Sequence, residues 1–374
     1  MLTLYLHIPF CKARCSYCDF YLVTQTEHVS AFFRALFIET ALRSADLQGQ
    51  RISAIHFGGG TPSFVPVRFL AEWLDQVASF STFASDIEIA LEANPEDLTA
   101  ETMDELRAAG VTRISLGVQS FIPEKLKILG RKHSSLESQQ VTASALRRFD
   151  SVSLDLICGV PGEDCSMWDA DLHAALSLRP QHLSVYMLSV EPKTMLHHKI
   201  AKGLLAVPDD AVQAAFYEEA LGKMACHGYS HYEVSNFCQP GHHSRYNLAS
   251  WMREPYLGFG PSAHSFLVTE EREIRMANVS SLSRYIAAPH DAVAFREELS
   301  AEERFTEQVF LSLRIHIGLD VEFLLKENKL GHLVLKSIDQ FRERGWVRQH
   351  AGLIYLTEKG FLFADFIAGA LIFG

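Results

Sequence analysis

The stretch HIPFCKARCSYCDF, residues 7–20, sets Cys11, Cys15 and Cys18 on a short loop directly after the β-branched, apolar segment LTLYLHI (2–8). Three thiolates spaced three and two residues apart can converge on a common metal centre. A structural zinc site normally takes four ligands, often as two separated pairs, whereas Cys158, Cys165, Cys226 and Cys238 are dispersed. A C-x-x-C redox pair would leave Cys11 unused. Three sulfur ligands suit a cubic 4Fe-4S cluster that keeps one iron free. An odd total of 7 cysteines does not read as a disulfide framework. A reducing cytoplasm is the consistent compartment.

Outward from this loop the first half of the chain repeats one unit: a short strand, a glycine or polar turn, an amphipathic helix. Strands are predicted at 2–8, 52–57, 87–93, 112–118, 151–157 and 182–188, and helical patterns at 29–45, 67–80 and 100–110. Six strands alternating with helices predict an α/β fold, a parallel sheet with right-handed crossovers, open or curled into a partial (β/α)6 barrel. Chemistry in such sheets gathers at the C-terminal ends of strands. There the sequence places CKARCSYC, GGGTP, EANPE, GVQSF and CGVPGE, with Tyr186 and Ser189 closing the sixth strand.

The spacing of CKARCSYC followed by FGGGTPS (57–63) resembles the signature of radical S-adenosylmethionine (SAM) enzymes, and Tyr17 matches the aromatic usual before the last cysteine. The resemblance implies that Cys11, Cys15 and Cys18 ligate the cluster and that its free iron chelates the amino and carboxylate groups of SAM. Reductive cleavage would then yield methionine and a 5′-deoxyadenosyl radical. Gly58 to Gly60 can present main-chain groups to the methionine moiety; a tight strand-to-helix turn with proline at the helix start is the plainer alternative, but three consecutive glycines exceed what a turn requires. Glu92 would face the ribose or amino group.

LYLHIPFC, FGGGTPS, RISLGVQSF, DLICGVPGE, HLSVYML and YEVSNF, together with Gly130, Arg131 and His133, are similar to the oxygen-independent coproporphyrinogen III oxidase family over roughly residues 2–265. By that pattern Tyr5, Gly59, Gly60, Thr61, Glu92, Gln119, Arg131 and Asp155 carry over as SAM-contacting positions. Some of these contact a second SAM in the oxidases. The oxidase branch has a further cysteine two places after the third and a long N-terminal arm. Here Phe20 stands at that place and ten residues precede Cys11. Both departures match the HemW-type haem chaperone branch. That resemblance implies a haem or other tetrapyrrole ligand, a haemoprotein acceptor and an electron donor. Phe20 is expected to pack beside the cluster and keep water away. The branch's His-Asn-x-x-Tyr-Trp haem motif is altered to YNLASW (246–251): Tyr246 replaces the histidine and Ser250 the tyrosine, while Asn247 and Trp251 are kept. Three readings stay open: iron ligation by Tyr246 as phenolate, substitution by His242 or His243, or simple packing of Tyr246 and Trp251 between domains. A radical enzyme acting on a porphyrin is the alternative to the chaperone.

The pattern changes from about residue 229. Residues 1–235 are expected to form the core partial barrel and 236–290 a connecting region carrying the altered haem motif. Residues 291–374 are expected to form a small helical, winged-helix-like domain whose hairpin turns at Ala351–Gly352. The net charge of −11, without a lysine or arginine tract, argues against nucleic acid as a partner. Nothing reads as a signal peptide, and no apolar run reaches the ~18 to 20 residues of a membrane span. FLFADFIAGALIFG (361–374) reads as a buried closing helix.

Overall fold

The computed structural model describes residues 1–327 and 331–373. Its six core strands are β1 (Leu2–Ile8), β2 (Arg51–Gly59), β3 (Thr82–Ala93), β4 (Arg113–Gln119), β5 (Ser151–Cys158) and β6 (His182–Met187), all at the positions the alternation predicts. They are parallel and adjacent in chain order. Near-continuous burial along β1, β4 and β5 reflects a sheet covered on both faces. The covering helices include Val29–Leu42, Val67–Phe80 and Cys165–Leu178, whose buried Phe32, Phe33, Leu70, Trp73, Trp168 and Leu172 join one core with the strands.

The sheet is wider than six strands. β7 (Ser230–Glu233) and β8 (Asn236–Cys238) extend it antiparallel beyond β6. On the other side β9 (Tyr256–Phe259) pairs parallel with β1, followed by antiparallel β10 (His264–Val268), β11 (Glu273–Asn278) and β12 (Val293–Glu298). The result is one sheet in the order β12-β11-β10-β9-β1-β2-β3-β4-β5-β6-β8-β7, and among the described residues no pairing closes its two ends. The fold is thus an open α/β sheet, the partial rather than the closed form of a barrel. Residues 236–290 supply four strands of it, and β12 lies past residue 290. The stretch YLGF is strand β9. Gly258 inside it is required because a Cβ there would meet the His264 carbonyl oxygen at 2.0 Å. Glu39, wholly buried on the first long helix, ties that extension down. It accepts hydrogen bonds from Gly260 N (2.9 Å), Asn278 Nδ2 (2.7 Å) and Tyr285 OH (2.5 Å).

A second core gathers Val309, Leu313, Leu324, Ile338, Ile354, Ile367 and Leu371 from the last part of the chain. Helices Ala301–Ser312, Val321–Glu327, Gly331–Glu343 and Ala364–Phe373 enclose it with β13 (Leu319–Asp320), β14 (Val347–His350) and β15 (Leu353–Leu356). The β14–β15 hairpin turns at Ala351 (φ 49°) and Gly352 (φ 81°), the two left-handed residues of a primed turn. The closing helix buries Ala364, Ile367, Ala368 and Leu371 but exposes Phe366 and Phe373, so only one face of it is internal.

Candidate functional site

The cysteine loop is clamped at its base, where Cys11 N donates to Val23 O (3.0 Å) and Val23 N to Pro9 O (2.7 Å). Its middle is held by Ser16, which donates from N to Leu129 O (3.1 Å) and from Oγ to Ile128 O (2.6 Å). Arg14 closes it from outside by donating to the carbonyls of Cys18 (3.2 Å) and Leu22 (3.1 Å). Seventeen residues of irregular chain would otherwise leave their backbone groups to water. Here they hold all three cysteines on the wall of one cavity of about 420 Å³. All seven cysteines are free. Among the described residues no three His, Cys, Asp or Glu side chains gather around one ion position; the thiols surround a cavity rather than a point. Burial pushes the Cys11 thiol up to about 11, and burial raises Cys18 as well.

The opposite wall is built by successive strand ends. Gly59 ends β2 and Gly60 follows it, and each glycine of the triplet has a neighbour where its Cβ would be: Glu92 Oε1 at 2.9 Å for Gly58, the His7 ring at 2.7 Å for Gly59, the Phe10 carbonyl oxygen at 2.7 Å for Gly60. The triplet therefore lets β2 pack against the start of the cysteine loop, a reason the sequence reading had not supplied. Thr61 Oγ1 lies 3.2 Å from Cys11 Sγ and accepts from Asn94 Nδ2 (3.2 Å). Arg131 bridges the walls: Nη1 donates to Cys15 Sγ (3.3 Å), and Nη2 donates to Asn94 Oδ1 (2.5 Å) and Gly117 O (2.8 Å). Among the described residues its buried Nε has no hydrogen-bond partner. Gln119 ends β4 at φ 64°, an uncommon conformation for a non-glycine residue, beside a register shift between Leu116 and Gln119.

Register sets the polar floor. Glu92, Ser115 and Ser153 lie side by side across β3, β4 and β5. Ser115 Oγ donates to Asp155 (3.0 Å to either oxygen), and burial pushes that carboxyl up to about 6. His56 Nε2 is 2.9 Å from Glu92 Oε1. Tyr17 also lines this cavity and packs with Leu129, Ile157, Val160 and Leu196.

Of the residues singled out in the sequence, Cys11, Cys15, Cys18, Tyr17, Gly59, Gly60, Thr61, Glu92, Gln119, Arg131 and Asp155 all border this one cavity. Tyr5 does not. It lines a second cavity of about 300 Å³ that shares Phe20, Gly59 and Glu92 with the first. There its hydroxyl is 3.1 Å from His7 Nδ1, and its ring stacks on His56 and Tyr246. Tyr246, on the helix Arg245–Trp251, lines this second cavity too; burial raises its phenol above the ordinary range. Asn247 and Trp251 border neither cavity. His242 and His243 are also elsewhere: their carbonyls accept from Arg113 Nη2, and the His243 ring meets Tyr232 at 4.9 Å. Phe20 is 62% exposed where the two cavities meet, so it shields little from water, contrary to expectation. Asn94 and Ser115 were missed: Asn94 just follows β3, a position ordinary caps share, and Ser115 inside β4 carries no signal at all.

A family model of the Radical SAM superfamily matches residues 5–175. Two curated relatives extend the likeness to the whole chain. The "Heme chaperone HemW" of Bacillus subtilis is 34% identical, covering 100% of this chain and 99% of its own. That of Mycobacterium tuberculosis is 36% identical, covering 98% and 94%. This chain belongs to the HemW family of radical SAM proteins. The Escherichia coli coproporphyrinogen III oxidase HemN superposes with a TM-score of 0.84 over 100% of this chain and 90% of its own. At 23% identity that likeness speaks for a fold shared by this chain and the oxidase. Among the described residues no helix is long and apolar enough to cross a membrane.

Proposed function

We propose that this HemW-family protein holds a 4Fe-4S cluster on Cys11, Cys15 and Cys18, binds SAM in the 420 Å³ cavity, and binds haem for transfer to a haemoprotein. The observation that carries the first part is Arg131: a half-buried arginine, whose buried Nε has no partner among the described residues, borders the same cavity as all three cysteines. Such a donor set fits a group of several sulfide-bridged irons and an anionic carboxylate. A bound cluster would supply the electron for SAM cleavage. The chain's own residues do the rest. Thr61 and Arg131 orient Cys11 and Cys15, the β2 glycines leave main-chain groups at the rim, and Glu92 and Asp155 offer carboxylates for hydroxyl or ammonium groups. Ligation by cysteine must displace protons that burial holds on Cys11 and Cys18. The haem part is supported by the full-length likeness to proteins named heme chaperones and by an aromatic cavity adjoining the first. Free cysteines suit a reducing compartment such as the cytoplasm. The haemoprotein acceptor and an electron donor are the expected partners.

The test is anaerobic reconstitution with iron and sulfide, followed by haem titration. Four irons per chain in the wild type, none specifically bound in a Cys11/Cys15/Cys18→Ala variant, and saturable binding of about one haem are expected. Four irons in the variant would sink the ligand assignment. A radical enzyme acting on a porphyrin is the second reading, favoured by the contact between the two cavities and by Tyr246 and Ser250 in the altered motif. Turnover of coproporphyrinogen without saturable haem binding would select it.

A further inference from the structure

The second cavity has the chemistry of a flat, aromatic cargo site. Four separate segments meet there: Tyr5 from β1, Tyr21 from the cysteine loop, Tyr246 from the helix after β8, and Tyr256 from β9. Tyrosine rings give a macrocycle faces to stack on while keeping polar tips. The cavity, about 300 Å³, is at the small end for ligand pockets, so a tetrapyrrole in it would keep one edge outside. An exposed edge is what a cargo needs if an acceptor is to take it.

Iron needs a ligand, and the motif that carries it in the chaperone branch lacks its histidine here. Tyr246 stands in that place, but its ring belongs to a stacked column with His56 (4.8 Å between centroids) and Tyr5 (5.9 Å), so it forms a wall of the cavity. Two histidines border the same cavity. His7 is committed at both nitrogens, Nδ1 to Tyr5 OH (3.1 Å) and Nε2 to the Tyr21 carbonyl (2.9 Å). His264, at the start of β10, is exposed, and its ring makes no hydrogen bond among the described residues. Its backbone is held rigidly all the same, through pairing with Ala277 on β11 and close contact of its carbonyl with Gly258. Imidazole is the commonest protein ligand for metals and a standard axial ligand of haem.

We propose that His264, outside the altered YNLASW motif, would ligate the iron of a haem held in this cavity, with Tyr21, Tyr246 and Tyr256 offering it aromatic contact. The inference rests on the haem-binding reading above. His264 takes the coordinating role, and Tyr246 supplies a stacking face.

The experiment is a titration of hemin into full-length, cluster-reconstituted protein under argon, read by the Soret band and by electron paramagnetic resonance of the ferric haem. Wild type, His264→Ala and Tyr246→Phe are compared. The wild type is expected to give saturable binding with a histidine-type spectrum. His264→Ala is expected to lose that spectrum and about tenfold or more in affinity, and added imidazole to restore the band position. Tyr246→Phe should keep the histidine spectrum. Equal iron and sulfide content and equal far-ultraviolet circular dichroism in the variants show that they fold. An unchanged spectrum in His264→Ala, or a phenolate signature in the wild type that vanishes in Tyr246→Phe, overturns the assignment while leaving haem binding standing. Absence of saturable binding in the wild type overturns both this assignment and the haem-binding reading.

Discussion

Arg131 illustrates how one side chain holds the first cavity together. It reaches Cys15, Asn94 and Gly117 with two nitrogens, in a fork that lysine cannot reproduce. Arg131→Met leaves the Gly117 carbonyl and Asn94 without their donor and should cost about 1–3 kcal/mol in urea unfolding; Arg131→Lys should recover little of it. A lysine variant with wild-type stability would show that the fork geometry is irrelevant. Gly60 makes a sharper case. A methyl group there would be 2.7 Å from the Phe10 carbonyl and 2.8 Å from that of Ile8, both backbone atoms that cannot rotate away. Gly60→Ala is therefore expected to destabilise by about 1–3 kcal/mol and to lower the iron taken up on reconstitution, because the strain falls on the chain just before Cys11. Full iron uptake with unchanged unfolding would refute this.

At the scale of elements, the helix Pro123–Leu129 brings Lys125 wholly inside, where its ammonium meets Glu163 and Asp171 (2.7 Å to the latter) and lies over Trp168 at 5.2 Å. Asp171 also accepts from Ser120 Oγ and Phe121 N, and Glu163 from Val160 N. This triad fastens the segments that follow β4 and β5. Lys125→Met strands two buried carboxylates and should cost about 3–5 kcal/mol, seen as a lower urea midpoint; a change under about 0.5 kcal/mol would count against the triad. Strand β7 carries a pH device of opposing signs. Burial lowers His231 from 6.5 to about 4, so its contribution is lost as pH falls from 6.5 towards 4. Burial raises Glu233 from 4.5 to about 7, so its contribution is lost as pH rises from 4.5 to 7. In the wild type these slopes offset one another between about pH 4.5 and 6.5. Glu233→Gln removes the falling limb, and stability should then climb across that window by up to about 1.4 kcal/mol per pH unit. Urea midpoints measured at several pH values check this, and parallel profiles for wild type and variant would contradict it.

Among the described residues the apolar side chains gather in two large cores and a small third cluster of Leu129, Ile157, Val160, Leu188 and Leu196, and the first cavity borders that small cluster. A cluster that binds only the folded large sheet stabilises it by mass action. Anaerobic reconstitution should therefore raise the melting temperature of the wild type and leave that of the Cys11/Cys15/Cys18→Ala variant unchanged; equal shifts in both would place the iron elsewhere. The second core joins the sheet near β7, where Val234 N donates to Arg314 O, His316 N donates to Tyr232 O, and the Phe361 ring meets His231 at 4.6 Å.

By itself the sequence determined the alternation of six strands and their helices, the cysteine loop after β1, and the polar clusters at successive strand ends, because hydrophobic period, glycine placement and ligand spacing are local properties of the chain. The hairpin at Ala351–Gly352 was legible for the same reason. Only the tertiary structure decided that β9 to β12 widen the sheet: β9 is short, holds Gly258 and pairs with β1 across some 250 residues, while β10 to β12 pair with their chain neighbours and join the sheet only through β9. It also decided that Tyr5 faces the second cavity, that His242 and His243 turn away from both, and that His264 faces the second. Which of several similar side chains shares a cavity depends on register and sheet order, and those are set by long-range packing that no local pattern encodes.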